Sequence, residues 1–89
     1  MQLQEVTVVN KLGLHARAAS KLVNVAKAHG CRISVTKDGQ EVDAKSIMSV
    51  MLLAATLGTP LTLTTDGDDE VEAMQALVAL IEDKFGEGE

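Results

Sequence analysis

Residues 31–44 read CRISVTKDGQEVDA. Over 31–37 apolar and polar residues alternate, with Cys31, Ile33 and Val35 on one side, which is the period of a strand with one buried face. Asp38-Gly39 is a two-residue hairpin turn. QEVDA (40–44) is the returning strand, short and polar enough to lie at a sheet edge. A hairpin makes its two strands antiparallel neighbours, and the rest of the chain is read around it.

Upstream, Ala16–Ala28 has helical spacing. Ala19, Leu22, Val23 and Ala26 form one face, and Arg17, Ser20, Lys21, Asn24 and Lys27 the other. Gly30 stands where a residue just past a helix end is expected. Residues 2–9, QLQEVTVV, favour a strand and precede an irregular NKLG. Downstream, Ser46 opens a second helix, Ile47–Leu53, which ends before Gly58. Pro60 begins a fourth strand, PLTLTT, with Leu61 and Leu63 inward and Thr62 and Thr64 outward; proline is tolerated at a strand's first residue. The last helix runs from about Asp69 to Lys84. Its apolar stripe is Val71, Met74, Leu77, Val78, Ile81 and Phe85, and acidic residues crowd its first turn, where the helix dipole favours them. Gly86 and Gly88 are read as releasing the tail.

The order is βαββαβα, read as one α+β domain over 1–89. Helices on one face of a four-stranded sheet would bury all the stripes together. The pattern leaves the strand order open, and a ferredoxin-like sheet with an added helix reads the same way.

Hydrophobic residues make up 46% of the chain, yet Phe85 is the one aromatic residue, so Val, Leu, Ile, Ala and Met must build the core. Cys31 has no partner for an internal disulfide, and no Cys/His cluster has metal-ligand spacing. The N-terminus lacks the pattern of a signal peptide. The longest strongly apolar stretch, 47–55, is far short of the roughly 20 residues that span a bilayer. A cytoplasmic protein with no membrane insertion, no metal and no cofactor is expected. The net charge of −5 argues against a nucleic-acid partner. The charge is also unevenly spread. From Val6 to Lys37 there are six basic residues and no acidic ones, whereas from Asp38 to Glu89 there are two basic and twelve acidic. A basic face on an acidic chain points to an acidic protein partner or a small anionic group.

Three features bear on chemistry. The first is His15 in GLHAR, where the first helix starts. It reads either as an exposed cap or as a phosphorylated nucleophile. Free N–H groups and the positive dipole end make an anion site there, and the same field favours the neutral, nucleophilic ring. Arg17 adds a charge-assisted contact to a bound phosphoryl group. The sequence offers no general base beside His15 and no metal cluster, so a bound phosphoryl group would be carried rather than hydrolysed. His29, at the other end of the helix, reads as structural. The second feature is Ser46, a good N-cap and also a place where phosphate is tolerated. The third is SIMSVMLLAAT (46–56). A small core cannot hide every face of so apolar a helix, so some of Ile47, Met48 and Met51 reach the surface; methionines suit adaptable partner surfaces.

GLHAR around His15, KSIMSVMLLAA around Ser46 and the closing acidic-then-apolar helix together resemble the histidine-containing phosphocarrier family, HPr, of the bacterial phosphoenolpyruvate-dependent phosphotransferase system. The resemblance covers essentially the whole chain. It implies an open-faced β-sandwich, with an antiparallel sheet of order 1-4-2-3 and three helices on one face. It implies that His15 takes a phosphoryl group on Nδ1 from phosphorylated enzyme I and passes it to the IIA domain of a sugar permease, with Arg17 steadying the group. This makes the chain a monomeric carrier rather than a turnover enzyme. Ser46 matches the serine modified by HPr kinase/phosphorylase, and Ser20, Lys21, Asn24, Ile47, Met48 and Met51 would meet the partners. One departure is Ala18, where most members carry proline. Two other function classes fit the residues: a nitrogen-branch regulator acting by protein binding, and a ferredoxin-like ligand-binding domain with no covalent chemistry.

Overall fold

The computed structural model describes residues 1–87. Its elements are β1 (Gln2–Thr7), α1 (Ala16–Lys27), β2 (Arg32–Lys37), β3 (Gln40–Asp43), α2 (Ile47–Leu52), β4 (Pro60–Asp66) and α3 (Glu70–Glu82), followed by a short 3-10 turn at Lys84–Gly86. The four strands form one antiparallel sheet in the order β1-β4-β2-β3. The hairpin of β2 and β3 is present, with Lys37 paired to Gln40, and β3 is an edge. β4, last in sequence, inserts between β1 and β2, so the sheet closes only when the chain's second half returns.

The alternation in β2 and β4 decides which face is covered. Ile33, Val35, Leu61 and Leu63 are buried, while Ser34, Thr36, Thr62 and Thr64 lie on the open face. The helices cover the other face: α3 packs on β1 and β4, α1 on α2 and α3, and α2 on β3. Ala18, Ala19, Leu22, Val23 and Ala26 form the inner side of α1. Phe85 is completely buried, a contribution of roughly 1.5–3 kcal/mol for a side chain of its size. Among the described residues no helix is long and apolar enough to cross a membrane.

The structure revises four local expectations. The first strand stops at Thr7 rather than residue 9. Thr7 lies opposite Pro60, which has no N–H to extend the ladder, and Val8 instead bonds to Thr59 and Gly58. Val71 is 45% exposed, because α3 turns Ala73, Met74, Leu77 and Ile81 to the core and leaves Val71 on the flank beside Gln2 and Gln4 of β1. Gly86 does not release the tail: it lies in the 3-10 turn that brings the chain back to α1. Gly88, read in the same way, lies outside the described residues. Gly30 closes no helix by a left-handed turn; its N–H goes to Asp69.

Asp69 precedes α3 but does not cap it. Its carboxylate accepts the N–H groups of Gly30 and Cys31, both at 3.0 Å, and lies 3.2 Å from His29 Nδ1. Burial raises its pKa, but the hydrogen bonds from Cys31, Gly30 and His29 outweigh this and hold it at about 2. A carboxyl lowered in the fold stabilises it above its unfolded value of about 3.9, and that contribution is lost as pH falls through the folded value. Asp69→Asn is therefore expected to unfold at lower urea than the parent at pH 7. The difference should shrink between about pH 4 and pH 2, and urea midpoints across that range check it.

Candidate functional site

His15 is the N-cap of α1. Its backbone is extended and its carbonyl accepts the first helical bond, from Ala19 N–H at 2.8 Å. The ring turns back on the first turn, where Nδ1 accepts Arg17 N–H at 3.3 Å. The residues before it are fixed from both sides. Leu14 is buried and donates its N–H to the Ala55 carbonyl at 2.9 Å. Gly13 has φ +67°, and a Cβ there would lie 2.4 Å from that same carbonyl oxygen. The 54–56 segment and the Gly13-Leu14 pair thus interlock and set where the ring stands. Asn10, fully buried, donates from Nδ2 to Gly13 O at 2.8 Å.

Glu87 also reaches the ring. Its carboxylate lies in hydrogen-bond contact with His15 Nε2 and accepts Asn10 Nδ2 at 3.0 Å. Burial pushes the Glu87 carboxyl up, but the bonds from Asn10 and His15 outweigh this and leave it below its ordinary value. This corrects the expectation that nothing basic lies beside His15. No periodicity marks Glu87, since it comes from a non-repeating turn 72 residues away.

The side chain of His15 is 28% exposed and opens into a shallow depression of about 630 Å³, around which stand Lys11, Arg17 and Lys21. Lys21 Nζ donates to the Phe85 carbonyl at 2.6 Å, so this lysine secures the C-terminal turn as well as lining the site. A positively charged concavity at a helix start is chemically an anion site. A second depression, about 640 Å³, lies at the other end against Cys31, Arg32 and Lys45. It offers no ready nucleophile: Cys31 is buried, and burial followed by the neighbouring Asp69 pushes its thiol up.

Ser46 caps α2, its Oγ accepting Ser49 N–H at 3.4 Å. Along α2, Val50 faces inward while Ile47, Met48 and Met51 are exposed, Met48 by 68%. Because α2 packs on α1, this apolar surface borders the side of α1 that carries half-buried Ser20 and Lys21 and exposed Asn24. Leu12 and Leu52, exposed by 66% and 71%, were not picked out from sequence. An apolar residue in the polar NKLG loop was the available signal for Leu12.

A histidine ring held at a helix start, partly exposed and set among basic side chains on a small 1-4-2-3 sheet, is the arrangement of a phosphoryl-carrier protein. The family model described as "PTS HPr component phosphorylation site" matches residues 3–83. The chain is 54% identical to the phosphocarrier protein HPr of Cupriavidus necator over 89 residues, and 53% identical to that of Pseudomonas aeruginosa over 90 residues. All of both chains is covered in each case. The crystal structure of HPr from Thermoanaerobacter tengcongensis superposes with a TM-score of 0.95 at 47% identity, covering 98% of each chain. The chain belongs to the HPr family and is a phosphocarrier of the phosphotransferase system.

Proposed function

We propose that His15 Nδ1 accepts a phosphoryl group from phosphorylated enzyme I and passes it to the IIA domain of a sugar permease. The observation that supports this reading best is the placement of Nδ1 at the start of α1, its lone pair met by one long N–H bond from Arg17 at 3.3 Å. So long a bond is weak and easily released. The freed N–H then faces the incoming phosphoryl oxygens, with the Arg17 guanidinium beside them. Incubation with enzyme I and phosphoenolpyruvate tests this. One acid-labile phosphate is expected on His15, lost again on adding a IIA domain; no mass gain would overturn it.

Ser20, Lys21, Asn24, Ile47, Met48 and Met51 form the docking surface in this reading. A basic, apolar face serves donor and acceptor alike if both present acidic docking surfaces. Ser46, at the edge of that face, is the regulatory site, modified by HPr kinase/phosphorylase where that enzyme is present. Ser46→Asp is expected to keep α2 folded, since Asp is an acceptable cap, and to lower kcat/KM for transfer from enzyme I by about tenfold at low salt, through like-charge repulsion. Added salt should recover part of the loss. Ser46→Ala should lose about 1 kcal/mol of stability and retain transfer. Steady-state assays of both variants at two salt concentrations check this.

A further inference from the structure

We propose that Glu87, aimed by Asn10, is a positioning residue for phosphoryl transfer: it keeps the ring proton on Nε2 and holds the positive charge that forms when Nδ1 is phosphorylated. This rests on His15 being the phosphoryl acceptor.

The local geometry fixes the proton. An ionised carboxylate only accepts hydrogen bonds, so the nitrogen against Glu87 is the one that bears hydrogen. Nδ1 receives Arg17 N–H and therefore presents its lone pair. The two contacts agree on one tautomer, with the nucleophilic electrons on Nδ1. The orientation of Asn10 is equally determined. Gly13 O and Glu87 Oε1 are both acceptors, so the NH₂ group must face both.

The chain reaches this contact by unfavourable means. Lys84 and Phe85 both have φ +55°, a left-handed conformation that costs residues with a Cβ and persists only where the surroundings impose it. Burial of Phe85 and the bond from Lys21 to its carbonyl hold the turn. The strained turn ends at Glu87 and places its carboxylate on the one histidine edge that the helix start leaves free.

The chemistry balances without a proton leaving the site. Nδ1 attacks phosphorus and the donor's N–P bond breaks, its electron pair returning to the donor's nitrogen. The new P–Nδ1 bond leaves the ring cationic, with hydrogen still on Nε2 and Glu87 as counter-charge. In the onward step the P–Nδ1 bond breaks, its electron pair returns to Nδ1, and the departing group is neutral imidazole. A ring that keeps Nε2–H is thus the better donor. Among the described residues, the other charges lining this depression are cationic, Lys11, Arg17 and Lys21. Of these, Lys21 acts on the Glu87 carboxyl and helps to keep it ionised, and Glu87 is the anion in contact with Nε2.

The test compares Glu87→Gln, which is isosteric and uncharged, with Glu87→Ala and Asn10→Ala in full-length protein. Phosphate uptake from enzyme I, release to a IIA domain, both as functions of pH, and thermal midpoints are measured. Glu87→Gln should still take up one phosphate on His15, at an unchanged midpoint, but transfer about tenfold more slowly, the effect of losing one charge-assisted bond. Its release rate should also begin to fall at a lower pH than in the parent, because the phosphorylated ring gives up Nε2–H more easily. Asn10→Ala should shift in the same direction. Rates within twofold of the parent and an unchanged pH profile in both Glu87 variants would overturn the proposal. Failure of the parent to take phosphate on His15 would instead overturn the reading beneath it.

Discussion

Replacing His15 with Ala is expected to remove phosphoryl acceptance completely while leaving a folded protein. The ring supplies the nucleophilic nitrogen, and among the described residues of the depression no second group replaces it: Lys11, Arg17 and Lys21 are cations, and the Glu87 carboxylate is a weak nucleophile held by Asn10. The structural loss is small. The substitution removes one long capping bond, of 3.3 Å, which costs about 0.5–2 kcal/mol for a helix cap, and the contact with Glu87 made by a ring that is 28% exposed. His15→Asn separates the two roles, since Asn caps well and cannot carry phosphate. It should melt close to the parent and accept nothing. His29→Ala loses its contact with Asp69 and should accept phosphate as the parent does. Equal acceptance by His15→Ala and His29→Ala would show that His15 is not the phosphoryl acceptor. Intact mass before and after acid treatment provides the readout, with circular dichroism for the fold.

Gly13→Ala carries the largest expected loss of stability among exchanges of a single methyl group near the site. Two costs coincide. A left-handed φ of +67° is unfavourable for Ala, by roughly 1–2 kcal/mol. The new Cβ would also lie 2.4 Å from the Ala55 carbonyl oxygen and 2.9 Å from Thr56 Cα. Both are backbone atoms, so no side chain can rotate away and the two interlocked loop segments must separate, typically for about another 1–3 kcal/mol. The total of roughly 2–5 kcal/mol is a large share of the stability of about 5–15 kcal/mol usual for a small domain. At about 4–8 °C per kcal/mol the thermal midpoint should fall by roughly 8–40 °C. Separation also loosens the bond from Leu14 to Ala55 and with it the placement of His15, so acceptance should slow in the fraction that remains folded. Gly39→Ala is the control. Gly39 has φ +81° but nothing within 4 Å of a built Cβ, so it bears the conformational cost alone. Equal midpoints for the two variants would show that the contact with Ala55 does not hold the site in place.

Much of the fold was legible because it depends on local pattern. The alternation of Cys31, Ile33 and Val35, the Asp38-Gly39 turn and the stripe of α1 each specify an element from residues within one window. The insertion of β4 between β1 and β2 does not follow from any window. It is a pairing of distant strands, and the family resemblance rather than the periodicity supplied it. The site divides the same way. His15 and Ser46 could be read as helix starts, and the apolar excess of 47–55 required exposed residues on α2. Val71 was misplaced because an amphipathic stripe does not say which flank of a helix overhangs the sheet. Glu87 was invisible for a different reason: its position depends on Lys84 and Phe85 adopting a conformation their side chains disfavour, so local preference points away from the true structure. The contact exists because burial of Phe85 outweighs that preference.

In the proposed relay one particular nitrogen, Nδ1 of His15, carries the phosphoryl group. Phosphorus–nitrogen coupling in ¹⁵N-histidine-labelled protein, recorded after incubation with enzyme I and phosphoenolpyruvate, tests it directly. A single phosphorylated histidine is expected, with coupling from phosphorus to Nδ1 of His15 and hydrogen retained on Nε2. Phosphate on Nε2, on His29 or on any residue other than His15 would contradict it.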